Sequence, residues 1–254
     1  MKKLLIFVVM LLATLPASAK VVSGARDTCG FKFGMKGSFT LNSMNHEAVQ
    51  YGYLLKENGD GIIKIRPLTS FAVGFAMDFP ILESLHLNLE LKYELKGHKV
   101  TAEDKYVGTI ENYSIVERNG YLEFPIQPQF RLNFSPKSHL NFNVGPYIAF
   151  ALHGNLQQNI HVANQGDIVY KYYTFTSHSE KKTIWDNTND VKTPYSRFDV
   201  GFAFAIDYVY NKFHIGASYD LGIKDIYKLE VDRSMVLFRS IKNRTALFTV
   251  GWDF

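Results

Sequence analysis

Apolar and polar residues alternate one by one through eight separate stretches of the chain, the signature of strands that meet a different environment on each face. The cleanest is LHLNLELKYELK. There Leu85, Leu87, Leu89, Leu91, Tyr93 and Leu95 interleave without error with His86, Asn88, Glu90, Lys92, Glu94 and Lys96. FKFGMKGSFTL sets Phe31, Phe33, Met35, Phe39 and Leu41 against Lys32, Lys36, Ser38 and Thr40, and SFAVGFAMDF sets Phe71, Val73, Phe75, Met77 and Phe79 against Ser70, Gly74 and Asp78. In YLEFPIQPQFRLNF the apolar row is Leu122, Phe124, Ile126, Phe130, Leu132 and Phe134, opposed by Glu123, Gln127, Gln129, Arg131 and Asn133. LNFNVGPYIAFAL, RFDVGFAFAIDYVY and FHIGASYDL follow the same rule, and the closing ALFTVGWDF obeys it with Leu247 as the one lapse.

The connections alternate too. Long polar segments at 42–66, 97–120, 153–194 and 223–241 take turns with short ones at PILES, SPKS and Asn211. Antiparallel strands joined by short turns at one end and long segments at the other make an all-β, eight-stranded up-and-down barrel with both termini on the short-turn side.

Such a barrel can face water or lipid, and the two rows decide which. A soluble barrel turns its apolar row inward. Here the apolar rows are nearly pure Leu, Phe, Val and Ile, while the opposite rows carry Lys32, Lys36, Asp78, Glu90, Lys92, Glu94, Glu123, Arg131, Arg197, Asp199, Asp207 and Asp220. The aromatic fraction is high, at 15%, and aromatics cluster at the ends of the apolar rows. Phe31, Phe79, Phe134, Tyr210, Phe213, Trp252 and Phe254 fall at the short-turn end, and Tyr93, Phe150, Phe198 and Tyr219 toward the other. Two interfacial girdles flanking a lipid-facing band have this layout. The expected solvent outside is therefore hydrocarbon, and only a closed sheet leaves no backbone group unpaired there. The expected site is the bacterial outer membrane, with both termini periplasmic and membrane lipid as the first partner.

The start, MKKLLIFVVMLLATLPASAK, has the basic, apolar and small-residue regions of a cleavable secretory signal over residues 1–19. Residues 20–30 read as a periplasmic segment ahead of a barrel over 31–254. Cys29 has no second cysteine to pair with, and it lacks the small and apolar neighbours of a lipidated one. The chain has 28 basic residues, two of them Lys2 and Lys3, against 24 acidic ones. Near neutrality gives no reason to expect a nucleic-acid partner.

The strand segments resemble the PorT-like outer-membrane β-barrel family of Bacteroidetes-type bacteria. The resemblance lies in FGMKGSFTLN, LHLNLELKYELKG, FNVGPYIAF, RFDVGFAFAIDYVYNKFHIGASYDLGIKDI and KNRTALFTVGWDF, and above all in YLEFPIQPQFRLNF, which is similar to that family's Y-L-E-I-P motif. It implies place and shape, and a link to protein secretion for some members. Pro128 departs from the pattern: it sits in mid-strand without an N–H and, with Pro125, predicts a bulge or register break.

An eight-stranded barrel is just wide enough for its own side chains. The inward charges are accordingly expected to form a buried ion-pair network that plugs the lumen, in place of a diffusion pore. No cofactor, metal or catalytic residue is expected. KENGDGIIKI resembles part of a calcium loop through Asn58, Asp60 and Gly61, but Lys56 and Pro67 stand where acids are needed, and a hairpin turn accounts for the same residues. Ser177, His178, Ser179 and Glu180 are neighbours in sequence, and that alone does not make a hydrolytic triad. YGYLLKENGDGIIKI and NIHVANQGDIVYKYYTFT read as hairpins that prolong the barrel, the second offering Tyr170, Tyr172, Tyr173 and Phe175 to a protein or glycan partner. Four roles stand: an accessory in secretion or envelope assembly, a surface adhesin or ligand-binding barrel, a lipid-modifying hydrolase, and a small selective channel. A monomer is expected.

Overall fold

The computed structural model describes residues 31–48, 62–103, 110–162, 166–175, 195–226 and 238–254. The signal segment, Cys29, the Asn58–Gly61 turn and the Ser177–Glu180 stretch lie outside the described residues. The elements are β1 (Lys32–Ala48), β2 (Ile62–Pro80), β3 (Leu85–Glu103), β4 (Ile110–Ser135), β5 (Ser138–Val162), β6 (Gly166–Tyr173), β7 (Phe198–Tyr210), β8 (Phe213–Gly222) and β9 (Phe238–Asp253). All pairings are antiparallel. The order runs β4-β3-β2-β1-β9-β8-β7-β5, and β4 pairs with β5 to close eight strands into a barrel. The ninth, β6, pairs with β5 alone, from Asn155↔Tyr173 to Val162↔Gly166, as a hairpin rising past the closed wall. The closing seam joins the two ends of the chain: β1 meets β9 from Gly34↔Asp253 to Ala48↔Phe238.

Side-chain parity sets the two surfaces. Every apolar row named above points away from the lumen, leaving residues such as Phe39 and Val250 each 52% exposed on the outer wall. Leu247, out of phase in sequence, is buried where its parity puts it. The turn between β7 and β8 is only Asn211 and Lys212, and Asn211 takes a left-handed conformation (φ 55°) that asparagine tolerates better than most residues. Its N–H donates to the Lys137 carbonyl at 2.6 Å, tying this turn to its neighbour.

The structure corrects two expectations. First, the wall strands run on into the segments assigned to long connections: β1 runs to Ala48, β3 to Glu103, β4 begins at Ile110 and β5 ends at Val162. The alternation fades there because the solvent outside changes. Moving up the inward rows, Thr40 and Asn42 give way to Met44, Lys96 and His98 to Val100, Glu117 to Ile115, and Asn243 to Ile241. These four apolar residues pack with Ile226 into a core that closes the lumen. Where the outer surface leaves hydrocarbon for water, the apolar side of the strand turns inward.

Second, Pro128 does not shift the register. Pro125↔Tyr147 and Gln129↔Asn143 belong to one continuous alignment of β4 with β5, with the ladder missing only between them. Across that gap Gly145 lets the two backbones approach closely: a Cβ on it would meet Gln127 Cα at 2.9 Å. The bulges fall elsewhere, between Pro67 and Ala72 on β2 and where β5 carries Leu152 as an extra residue opposite Gly120 and Tyr121.

Two substitutions test this arrangement. Leu91→Arg, on the outer wall, is expected to destabilise the barrel by about 2–4 kcal/mol, measured by reversible unfolding in lipid vesicles. Asn211→Val is expected to cost about 1–2 kcal/mol in the same assay, while Asn211→Gly stays close to neutral.

Candidate functional site in the barrel lumen

The lumen is lined by alternate residues of all eight wall strands, so chemistry that is scattered in sequence converges there. Nearest the short turns, Asp78 accepts from Arg131 and lies 2.7 Å from His86 Nδ1, while Arg131 Nε donates to Asn141 at 3.1 Å. His214 Nε2 sits 2.7 Å from Asp253 Oδ1 on the neighbouring strand. Lys32 and Lys36 help line a small polar cavity of about 20 Å³ among Asp78, Gln129, Asp207 and His214, room for about one water. Lys36 Nζ lies 3.4 Å from Glu90 and 3.8 Å from Asp207, which also accepts from Asn143 Nδ2 at 2.8 Å.

The centre of the lumen is a tighter cluster. Lys92 Nζ lies 2.5 Å from Asp220, 3.0 Å from Glu123 and 3.3 Å from Glu94, and all four side chains are buried. Lys96 Nζ lies 2.5 Å from Glu123 and 3.9 Å from Glu94, and sits 4.7 Å above the ring of Tyr147. Tyr147 Oη and Asn243 Nδ2 both donate to Asp199, at 3.2 and 2.8 Å. The carboxylates of Glu94, Glu123 and Asp220 converge closely enough to ligate a cation. The Lys92 ammonium takes that place, within ion-pair distance of all three. Charges packed in a narrow lumen need such partners, because the desolvation of each is repaid only by the others.

Eleven of the twelve charged residues expected in the lumen face it. Arg197 does not. It lies at the chain's entry to β7, where its guanidinium donates to the carbonyls of Ala151, Leu152 and Phe175 and stacks over the Phe175 ring at 5.5 Å. The bulge lies beside it: the extra residue Leu152 interrupts the β4–β5 ladder, and the arginine fork donates to the carbonyls of Ala151 and Leu152 together.

Phe175 corrects the reading of the loop aromatics. It is 8% exposed and packs edge-on against Tyr121 and Tyr195 in the upper barrel, so it anchors the base of the β5–β6 hairpin and is not presented to a partner. Tyr170, Tyr172 and Tyr173 lie on β6, opposite Gln158, Leu156 and Asn155. Their side chains lie outside the described residues.

Sequence reasoning set Lys96 on the polar row without counting it in the charge network, and passed over His98, Glu117, Tyr121 and Tyr147. Lys96 has the parity of Lys92 and Glu94, and Tyr121 that of Glu123, so parity was the available signal. The aromatic identity of Tyr121 and Tyr147 masked it. Glu117, which accepts from Tyr195 Oη at 2.8 Å and from Asn119, lies where strand was not expected.

On the outer wall, Phe31 stacks on Phe79, and Phe33 on Phe75 and Phe254. Phe134, Tyr210, Phe213 and Trp252 are exposed toward the same short-turn end. Toward the other end Phe150 pairs with Phe198, and Tyr93 Oη lies 2.8 Å from His153 Nε2. Tyr219 pairs with Phe204 and Ala246, lower on the wall than Phe198.

Among solved structures the chain is similar to the attachment invasion locus protein Ail of Yersinia pestis (11% identity over 88% of this chain and 98% of that one, TM-score 0.35). It is also similar to OprG from Pseudomonas aeruginosa (8%, 89% and 96%, TM-score 0.38) and the outer membrane protease OmpT from Escherichia coli (10%, 90% and 99%, TM-score 0.30). No curated protein matches the sequence. The family model of the outer membrane protein beta-barrel domain matches residues 25–228. With its closed eight-stranded wall, apolar outer rows and charged lumen, the chain belongs to the outer membrane protein beta-barrel domain family and is an integral outer-membrane barrel.

Proposed function

We propose that this outer-membrane barrel is a closed, non-enzymatic scaffold that displays its long hairpins at the cell surface. Both termini lie in the periplasm, and a protein or glycan partner meets the hairpins. The observation that carries the reading is the lumen: Lys36, Lys92, Lys96 and Arg131 each have a carboxylate partner inside it, and an apolar core seals it above. A scaffold needs a rigid wall, and a path for solute needs unfilled space; the side chains favour the first. The β5–β6 hairpin, rising past the closed wall with Val169 and Lys171 exposed, is the element best placed to meet a partner. The finer kinship, to the PorT-like branch and an accessory role in secretion or envelope assembly, is supported by YLEFP itself. Tyr121 and Glu123 of that motif point inward, and Glu123 joins Lys92 to Lys96.

Purified barrel in planar bilayers is expected to show no steady single-channel conductance; a stable open level overturns the closed-scaffold reading. Lys92→Met leaves three buried carboxylates without their shared ammonium and is expected to destabilise the barrel by about 3–5 kcal/mol in denaturant unfolding. Excising Ile160–Ile168 is expected to keep the heat-modifiable gel mobility of a folded barrel. The same excision is expected to abolish cross-linking to an envelope or surface partner; unchanged cross-linking counts against the hairpin as the recognition element.

A further inference from the structure

We propose that a row of cations on the outer wall, just beyond the apolar band at the long-strand end, binds the phosphorylated headgroups of the lipids in that leaflet. Which leaflet this is rests on the orientation proposed above; the binding chemistry does not.

The row begins on three adjacent strands. Arg66 on β2 stands directly opposite Lys99 on β3, and Arg118 on β4 stands opposite Gly97, one diagonal step from Lys99. Two more, Lys242 and Arg244, share the outer face of β9 opposite Asn45 and Ser43 on β1. Apolar wall residues lie below them: Leu95 precedes Lys99, Leu122 lies below Arg118, and Ala246 and Phe248 lie below Arg244, while Val116 stands directly beside Lys99.

Like charges facing each other across a strand pair are destabilising unless an anion lies between them. None of these five makes a hydrogen bond or ion pair among the described residues. The lumen is the contrast, because Lys36, Lys92, Lys96 and Arg131 all find carboxylates within the chain. For Arg66, Lys99 and Arg118 no carboxylate among the described side chains answers, and an anion from outside the chain fits their place; Lys242 stands diagonal to Glu47 on the same face of β1.

Its position says what carries that charge. A lipid whose acyl chains lie against Leu95 and Leu122 brings its headgroup to the level of Lys99 and Arg118. Neighbouring strands lie about 4.8 Å apart, so Arg66, Lys99 and Arg118 fall within roughly 10 Å of wall, the scale of one or two phosphate groups. Arginine can grip a phosphate with two parallel N–H donors and lysine adds a mobile point charge, their alkyl stems resting on the apolar wall.

The test uses the full chain in detergent, with diphosphorylated lipid A and its dephosphorylated form as probes, bound lipid being read by native mass spectrometry. The diphosphorylated form is expected to bind more tightly, and more weakly in high salt. The triple variant Arg66→Gln, Lys99→Gln, Arg118→Gln is expected to bind it about a hundredfold more weakly, from a factor of roughly five per cation at low ionic strength. Lys137→Gln with Lys212→Gln, in the short turns, is expected to leave binding unchanged. Heat-modifiable mobility checks the fold, and if the triple variant loses it, Lys99→Gln alone is expected to weaken binding about fivefold.

Equal binding of the two lipids, unchanged binding in the variants, or displacement by inorganic phosphate at the lipid's own concentration overturns the proposal. Labelling of Lys171, exposed on the β5–β6 hairpin, by a membrane-impermeant amine reagent in intact cells reports the orientation separately: without labelling the surface reading fails, while headgroup binding is judged on the lipid data.

Discussion

Hydrocarbon offers no hydrogen bonds, and every other feature of this barrel follows from that. A strand placed in it must pair on both edges, so the sheet has to close on itself. Once closed, each strand has one face on acyl chains and one in a narrow lumen, and the period-two alternation is the sequence's record of the two. The outer face holds leucine, phenylalanine and valine because they cost nothing against lipid. The inner face inherits what lipid rejects. It becomes habitable only because lysines and carboxylates from β1, β3, β4, β7 and β8 arrive in reach of one another.

The same constraint explains how much could be read beforehand. Where lipid bathes the outer wall, the alternation LHLNLELKYELK is unbroken, and strand and facing follow from it. Beyond the apolar band the outer solvent is water, the inner row becomes apolar, and both rows of the strand hold mixed residues. That is why Met44, Val100, Ile115 and Ile241 looked like loop and why the walls extend further than the pattern announced. Parity would have placed Tyr121 and Tyr147 in the lumen, but an aromatic residue on a barrel strand is more readily taken for a girdle residue.

Two errors came from backbone chemistry that residue types do not display. Arg197 had the charge of a lumen residue, yet the carbonyls around an extra residue on β5 drew its guanidinium. Pro128 had the marks of a register break, yet the wall absorbs it by leaving a gap in the ladder and letting Gly145 move in close. In both cases the cause lies on a neighbouring strand far away in the chain, where a reading of consecutive residues does not reach.

The seam between β1 and β9 carries a consequence for biogenesis. The first and last strands of the barrel are mutual neighbours, from Gly34↔Asp253 upward, so the cylinder cannot shut until the final segment has been synthesised and delivered. Until then the outer wall is a long apolar ribbon with two unpaired edges. In that state the unpaired edges of β1 and β9 can template pairing with other chains, so closing the seam is also what protects the sheet from aggregation.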